Sequence, residues 1–428
     1  MRDYETILTE LHSRPRYAKK KDLSRITALM NALDNPQNHL SFVHVAGTNG
    51  KGSICALTAS ILRAAGKKTG LFTSPFLKEF TERIRIDGRN IPKSDFCRIY
   101  ERVNREEIAL EAAGQEPANE FEVITAVAMC FFLEQNCDVV VLEVGLGGRL
   151  DATNVIPPQS VCCIAQLGLD HQAQLGDTIA QIAAEKGGII KPGSTVFIPS
   201  MQPPEAIAVL SEICRKKGAH LFQCPEPSEL QLRPDRTSFI LDGKRFSVSL
   251  AGPHQACNAS CAIEICRALG IDDDIIREGL SSAVWPGRLM PLSRDIVLDC
   301  GHNPNGIQAL LTALDSVYPG RPISALMAMM KDKDYQACVH AVAERSVRLT
   351  ATTLDMPRAL SSDELQSCAD LYCRKTYSEP DPETALRTAI LRRRGDELLV
   401  ICGSVYLAGE ILNLIDRCPD ILQSQELI

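Results

Sequence analysis

A chain of 428 residues is too long for one core of ordinary size and implies two domains, or three. With 45% hydrophobic and 23% charged residues it has the balance of a soluble globular protein. A formal charge of −7 argues against nucleic acid as the main partner, since no basic face dominates, and Lys19-Lys20-Lys21 is read as a solvated patch.

The cysteines point to a compartment. There are seventeen, an odd number, scattered through apolar segments without a Cys-x-x-Cys pair, which is the usage of reduced buried thiols and not of a disulfide framework or zinc site. Met1-Arg-Asp-Tyr-Glu5 lacks the apolar stretch of a signal peptide, and no apolar run approaches ~18 residues. A cytoplasmic protein is expected, with no membrane partner.

Residues 1–40 read as a helical arm, with Leu23, Ile26, Leu29, Met30 and Leu33 on one face. Ser41 to Ala46 is a short buried strand, and Gly47-Thr48-Asn49-Gly50-Lys51-Gly52-Ser53 is a glycine-rich turn before the apolar run Ile54 to Ala65. Glycines let the backbone wrap an anion, the helix aims its free N–H groups and positive dipole end at it, and Lys51 adds a full charge. This is a phosphate cradle of unusual spacing. The common pattern has four residues between its glycines and a hydroxyl directly after the lysine, whereas Gly52 separates Lys51 from Ser53.

Thr69 to Thr73 is a second strand, Ser74-Pro75 starts a loop to the turn at Asp87-Gly88, and Phe121 to Leu133 is an apolar helix. Asp138 to Gly145 is a buried parallel strand whose Glu143 falls near its C-terminal end, where open α/β sheets gather ligands and where an acid following a cradle strand holds Mg²⁺. Gly145-Leu-Gly-Gly-Arg-Leu-Asp151 is read as a tight turn or a second ligand loop. After strand Ser160 to Ala165, His171 stands in the same layer as Glu143, as a further metal position or an ordinary loop histidine. Lys186 ends a helix starting near Asp177-Thr178, as a solvated cation or a buried amine with altered chemistry.

Thr195 to Pro199, helix Pro204 to Lys217 and Ala219 to Phe222 continue the alternation, and Ser238 to Leu250 is a hairpin around Asp242-Gly243. Helices to Leu269 and from Asp273 precede Trp285-Pro-Gly-Arg288. From Asp295 the rhythm restarts. Strands Asp295 to Asp299, Ile323 to Met329, Val347 to Thr352 and Glu397 to Cys402, with helices between them, indicate a second doubly wound domain and a division of 1–290 and 291–428.

Taken together, these blocks resemble the folylpolyglutamate synthase and dihydrofolate synthase family of the Mur ligase superfamily. The resemblance rests on Ala46 to Ser53, Phe72-Thr-Ser-Pro75, Thr81 to Ile84, Leu142 to Asn154 and Gly168-Leu-Asp-His171. It continues through Glu185-Lys186, His254-Gln255 with Asn258, Pro286-Gly-Arg288, Asp299 with His302-Asn-Pro304, and Cys402-Gly-Ser404. It implies an N-terminal P-loop ATPase domain and a smaller C-terminal Rossmann-like domain, with ATP and substrates in the cleft between. It also implies roles: Lys51 and the cradle on ATP phosphates, Ser53, Ser74, Glu143 and His171 around one or two Mg²⁺, and Asn258 near adenine. Arg288 would reach the γ-phosphate, Asp299 and His302 the ribose or phosphates, and Lys186 would carry a CO₂-derived carbamate. Phe76, Arg83, Phe121, Arg149, Asp151 and Ser404, in or near these blocks, are expected substrate contacts.

The implied reaction is MgATP-dependent addition of L-glutamate to dihydropteroate or a reduced folate by a monomer. The carboxylate is first phosphorylated, Lys51, magnesium and Arg288 neutralise the transferring oxygens, and the amine of glutamate attacks the acyl phosphate, with His302 a candidate to take its proton. Four positions depart from the family pattern: Phe76 for a frequent His, Gly187 for Ala, and Cys300-Gly301 for Gly-Ala. Phe76 argues against a polar substrate contact from its loop, which in the family lies near the pterin or pteroate site. The alternatives are one of the two activities alone, dihydrofolate synthase first among them, or another class: a P-loop small-molecule kinase or a nucleotide switch, although no Asn-Lys-x-Asp guanine signal occurs.

Overall fold

The computed structural model describes residues 2–15, 22–158 and 160–423. Lys19-Lys20-Lys21 lies outside them. The described residues form two compact units, the first made of the chain through Pro75, Phe80–Glu226 and Asn258–Ala283, the second of Phe76–Glu79, Pro227–Cys257 and Val284 onward.

The first unit is built on eight strands: β1 Phe42–Ala46, β2 Thr69–Phe72, β3 Ile84–Ile86, β4 Arg89–Asn90, β5 Val139–Glu143, β6 Val161–Ile164, β7 Thr195–Ile198 and β8 His220–Gln223. Their order is β4-β3-β2-β5-β1-β6-β7-β8, with β2, β5, β1, β6, β7 and β8 parallel and the β3/β4 hairpin antiparallel at one edge. The central strands β1, β2, β5 and β6 are buried along their whole length, as parallel strands covered on both faces must be. Although β5 follows β2 by more than sixty residues in the chain, it inserts between β1 and β2. That insertion sets Glu143 level with Val45, at the end of the strand that feeds the glycine-rich turn.

The second unit holds two sheets. The hairpin expected around Asp242-Gly243 is β10 Arg236–Leu241 and β11 Lys244–Val248, joined by a third antiparallel strand, β9 Ser228–Arg233. The other sheet comprises β12 Met290–Ser293, β13 Ile296–Leu298, β14 Ile323–Met327, β15 Ser346–Ala351, β16 Thr376–Ser378 and β17 Leu398–Cys402. Its order is β12-β13-β17-β14-β15-β16, parallel except for β12, with β17 inserted between β13 and β14. Apolar clusters form on both sides of it, one around Val297, Met327 and Val400, the other around Leu298, Leu326 and Ile401. All seventeen cysteines are free, and fourteen are buried. No helix among the described residues is long and apolar enough to cross a membrane.

Candidate active site

The cradle is a turn held open by the chain around it. Its helix, Lys51–Ala64, starts three residues before the apolar run, so Lys51, Gly52 and Ser53 form the first helical turn. The N-cap residue is Gly50, in left-handed conformation at φ 87° and with no side chain to occupy the first amides of the helix. Those amides are left for an anion. A Cβ at Gly50 would stand 2.5 Å from Asn258 Oδ1, so the close approach also requires glycine.

Carbonyls at the end of the neighbouring strand hold the turn. Thr48 and Asn49 both donate their N–H groups to Gln166 O, at 3.0 and 3.1 Å. Thr48 also donates its hydroxyl to Gly168 O at 3.1 Å and accepts the N–H of Gly168 at 3.2 Å. Gln202, buried, fixes that strand end by donating to Ile164 O and Ala165 O and accepting from Leu167 N. Lys51 Nζ donates to Thr48 O at 3.2 Å, inside the turn that it closes.

Glu143 is the last residue of β5 and is 4% exposed. Its Oε2 accepts the N–H of Ser74 at 3.1 Å, which brings Ser74 and Glu143 together as the sequence blocks imply. Burial pushes the Cys55 thiol well up, with the Glu143 charge adding and the Lys51 charge opposing, so both groups act on one point of the first helical turns. Ser53 is buried in that turn. His171 adopts φ 52°, and its imidazole stands beside Asp170. Among the described residues no group of three or more His, Cys, Asp or Glu is placed to hold a metal ion. The Glu143 carboxylate, with Ser74 held against it, nevertheless fits Mg²⁺ carried by a nucleotide, because that ion takes one or two protein carboxylates and fills its octahedron with phosphate oxygens and water.

Lys186 is 5% exposed, and its Nζ donates to Gly47 O at 2.8 Å. The helix end therefore carries a buried lysine and not a solvated one. Asp151 is also buried, with both oxygens turned inward: Oδ2 accepts from Leu146 N at 2.8 Å and Oδ1 from Thr153 N at 3.0 Å. Arg149 pairs with Glu185 on the surface, Arg83 pairs with Glu120, and Phe121 lies against Phe72 with its ring where a Cβ on Gly145 would fall.

In the second unit Asp299 directly follows β13 as a buried carboxylate, accepting from Leu289 N at 2.8 Å and Gly301 N at 2.7 Å. His302 Nδ1 lies 2.9 Å from Cys300 O, and Arg288 donates to Gly287 O at 2.9 Å. His254 is pushed down by burial and by Arg288, with Asp299 opposing, which puts all three in one neighbourhood. Ser404 is the N-cap of helix Val405–Arg417, accepting from Tyr406 N, and Phe76 belongs to this unit.

Residues 45–266 match the Mur ligase middle domain, and residues 287–405 match the Mur ligase, glutamate ligase domain. The folylpolyglutamate synthase of Lacticaseibacillus casei is 35% identical over 96% of this chain and 98% of its own. The chain belongs to the folylpolyglutamate and dihydrofolate synthase family of Mur ligases. A second relative in the family, the dihydrofolate synthase/folylpolyglutamate synthase of Bacillus subtilis, is 32% identical over 95% of this chain and 98% of its own. The solved Mycobacterium tuberculosis folylpolyglutamate synthase complexed with ADP and AMPPCP superposes with a TM-score of 0.88 at 30% identity, covering 96% of this chain and 98% of that one.

Reasoning from sequence alone passed over Gln166, Gln202, His44 and Thr153. A signal existed for His44 only, as the one polar residue in the strand Phe42–Ala46.

Proposed function

We propose that this chain is an ATP-dependent ligase adding L-glutamate to the carboxylate of dihydropteroate or a reduced folate through an acyl phosphate. The observation that carries the reading is the uncapped helix start at Gly50-Lys51 beside the buried Glu143, in a chain that matches a folylpolyglutamate synthase over nearly its whole length. ATP use is supported by the ADP and AMPPCP complexes of the M. tuberculosis relative. In this reading the amides after Gly50 and the Lys51 ammonium take the phosphates, while Asn258, packed on Gly50, lies toward the adenine. Bound Mg²⁺ would neutralise charge on the transferring phosphoryl oxygens. Glu143, oriented by the Ser74 amide, would hold that ion together with the Ser53 and Ser74 hydroxyls, and His171 is the further candidate. Arg288, Asp299 and His302 are assigned to the same nucleotide by the family blocks, with His302 as the group that takes the glutamate proton.

Lys186 is a buried ammonium donor to Gly47 O in this geometry, and a carbamate would exchange that cation for an anion. Intact mass with and without bicarbonate separates the two forms. Phe76, Arg83, Phe121 and Arg149 remain proposed contacts of the folate substrate. Asp151 and Ser404 are assigned to holding backbone, from the bonds that each already makes. A cytoplasmic monomer is proposed, and sedimentation tests the oligomeric half.

ADP release should require both the folate-type acid and glutamate, and glutamate-independent turnover would overturn the ligase reading. Product mass with dihydropteroate and reduced folate offered separately assigns one activity or both, and a phosphorylated product without an amide would mark a kinase.

A further inference from the structure

His44 is fully buried in the middle of β1, three residues before Gly47. Its Nε2 lies 2.8 Å from Thr153 Oγ1, which lies 2.5 Å from Asp151 Oδ1. Burial, with the Lys191 charge adding, pushes the imidazole down to about 3, so the ring is neutral and carries one proton. Burial pushes the Asp151 carboxyl up, and the Leu146 N–H, the Thr153 hydroxyl and the Thr153 N–H oppose it. With both of its oxygens already accepting those N–H groups, Asp151 is the acceptor, so the threonine hydroxyl gives its single proton to Asp151 and accepts from His44. The imidazole proton is therefore on Nε2, and Nδ1 is buried with no partner. A strand needing only packing would be better served by valine here, so the bare Nδ1 is a cost that the loop beyond Thr153 explains.

That loop is Gly145–Asp151, which starts two residues after Glu143. It closes on Asp151 through Leu146 N–H and through Asp151 N–H to Gly148 O at 3.2 Å. It then lies on the end of the helix Ile179–Lys186: Arg149 N–H donates to Glu185 O at 2.8 Å, and a Cβ on Gly148 would stand 2.7 Å from Lys186 O. Lys186 reaches back to the carbonyl of Gly47, the first residue past the strand that carries His44. The circuit leaves β1 at His44 and returns to the chain three residues later, where the glycine-rich turn begins.

We propose that His44 is a positioning residue for the phosphoryl-transfer site: through Thr153 and Asp151 it fixes the loop Gly145–Asp151, and through that loop it fixes Lys186 against the cradle. The kinetic half rests on the ligase reading given above, and the structural half does not.

The test uses the full chain with His44→Leu and Thr153→Val, which break the relay, and His44→Gln and Thr153→Ser, which keep its donors. Hydrogen exchange of the 145–151 segment should quicken roughly tenfold or more in the breaking variants, while peptides of the second unit hold their rates. Under the same conditions kcat should fall by about tenfold to a hundredfold with KM for ATP within about threefold, since a displaced Lys186 misaligns chemistry without removing the cradle. His44→Gln and Thr153→Ser should return both readouts to within about threefold of the starting protein. Unchanged loop exchange in folded His44→Leu, an unchanged kcat despite faster exchange, or folded donor-keeping variants that restore neither readout would each overturn the proposal. If His44→Leu does not fold, the two threonine variants decide alone. If the starting protein shows no glutamate-dependent ADP release, the ligase reading falls while loop exchange still decides whether His44 controls the loop.

Discussion

Each unit places a turn and a helix after a parallel strand buried along its whole length, and the two junctions treat the start of that helix in opposite ways. After β1 the N-cap is Gly50, with no side chain on the first amides. After β13 the N-cap is Asn303, whose Oδ1 accepts from Gly306 N at 2.8 Å, followed by Pro304, which has no N–H to leave bare. Asp299 takes the Gly301 amide as well. Similar strand–turn–helix geometry is thus open to an anion in one unit and sealed by its own side chains in the other. A helix start becomes a phosphate site when glycines withhold the caps that a structural helix would use.

Removing the charge from the open junction should have the largest effect. Lys51→Ala is expected to lower ligase turnover by roughly 10²–10³-fold, read as ADP release, with little change in thermal midpoint because no cap is lost. Glu143→Gln keeps an acceptor for Ser74 N–H while removing the charge; turnover should fall by about 10²-fold and be partly recovered at raised Mg²⁺. A rate that ignores Mg²⁺ in this variant would detach Glu143 from the metal.

Acid should act on the strand beneath the open junction. His44 is held near 3 when folded against 6.5 ordinarily, so the unfolded chain binds the extra proton as pH drops below about 6.5. Stability is full above that pH and falls by about 1.4 kcal/mol per unit below it, or about 2 kcal/mol at pH 5. Urea midpoints at pH 7.5 and 5 should show the loss, reduced in His44→Gln. The smallest effect belongs to the sealed junction: Asn303→Ala should cost about 1 kcal/mol in the same measurement. A comparable loss from Lys51→Ala would erase the distinction between the two junctions.

The strands most readily read from sequence are those buried on both faces. Val161–Ile164 and Leu398–Cys402 are continuous apolar runs, Val139–Glu143 is one up to its terminal carboxylate, and the structure has each within a residue or two of the expected span. The strands passed over lie at edges or in the open. β9, Ser-Glu-Leu-Gln-Leu-Arg, is exposed at five of six positions, and β3, β4, β12 and β16 are two to four residues long. Strand order was not legible either. Nothing local says that β5 inserts between β1 and β2, because that choice depends on surfaces far apart in the chain. At the candidate site, the glycine spacing and Glu143 were visible because each marks a backbone need or a charge at a strand end. His44, Thr153 and Gln202 act only through partners that the sequence leaves distant, 109 residues apart in the case of His44 and Thr153.

The abundance of free thiols bears on handling. Burial pushes up Cys130, Cys162 and Cys266 among others, so in the folded chain these thiols are poor nucleophiles, and Cys418 is the exposed one. Unfolding would release all seventeen at once into reach of one another. Disulfide scrambling would then compete with refolding, so reversible denaturation of this chain should depend on a reductant long before activity of the native enzyme does.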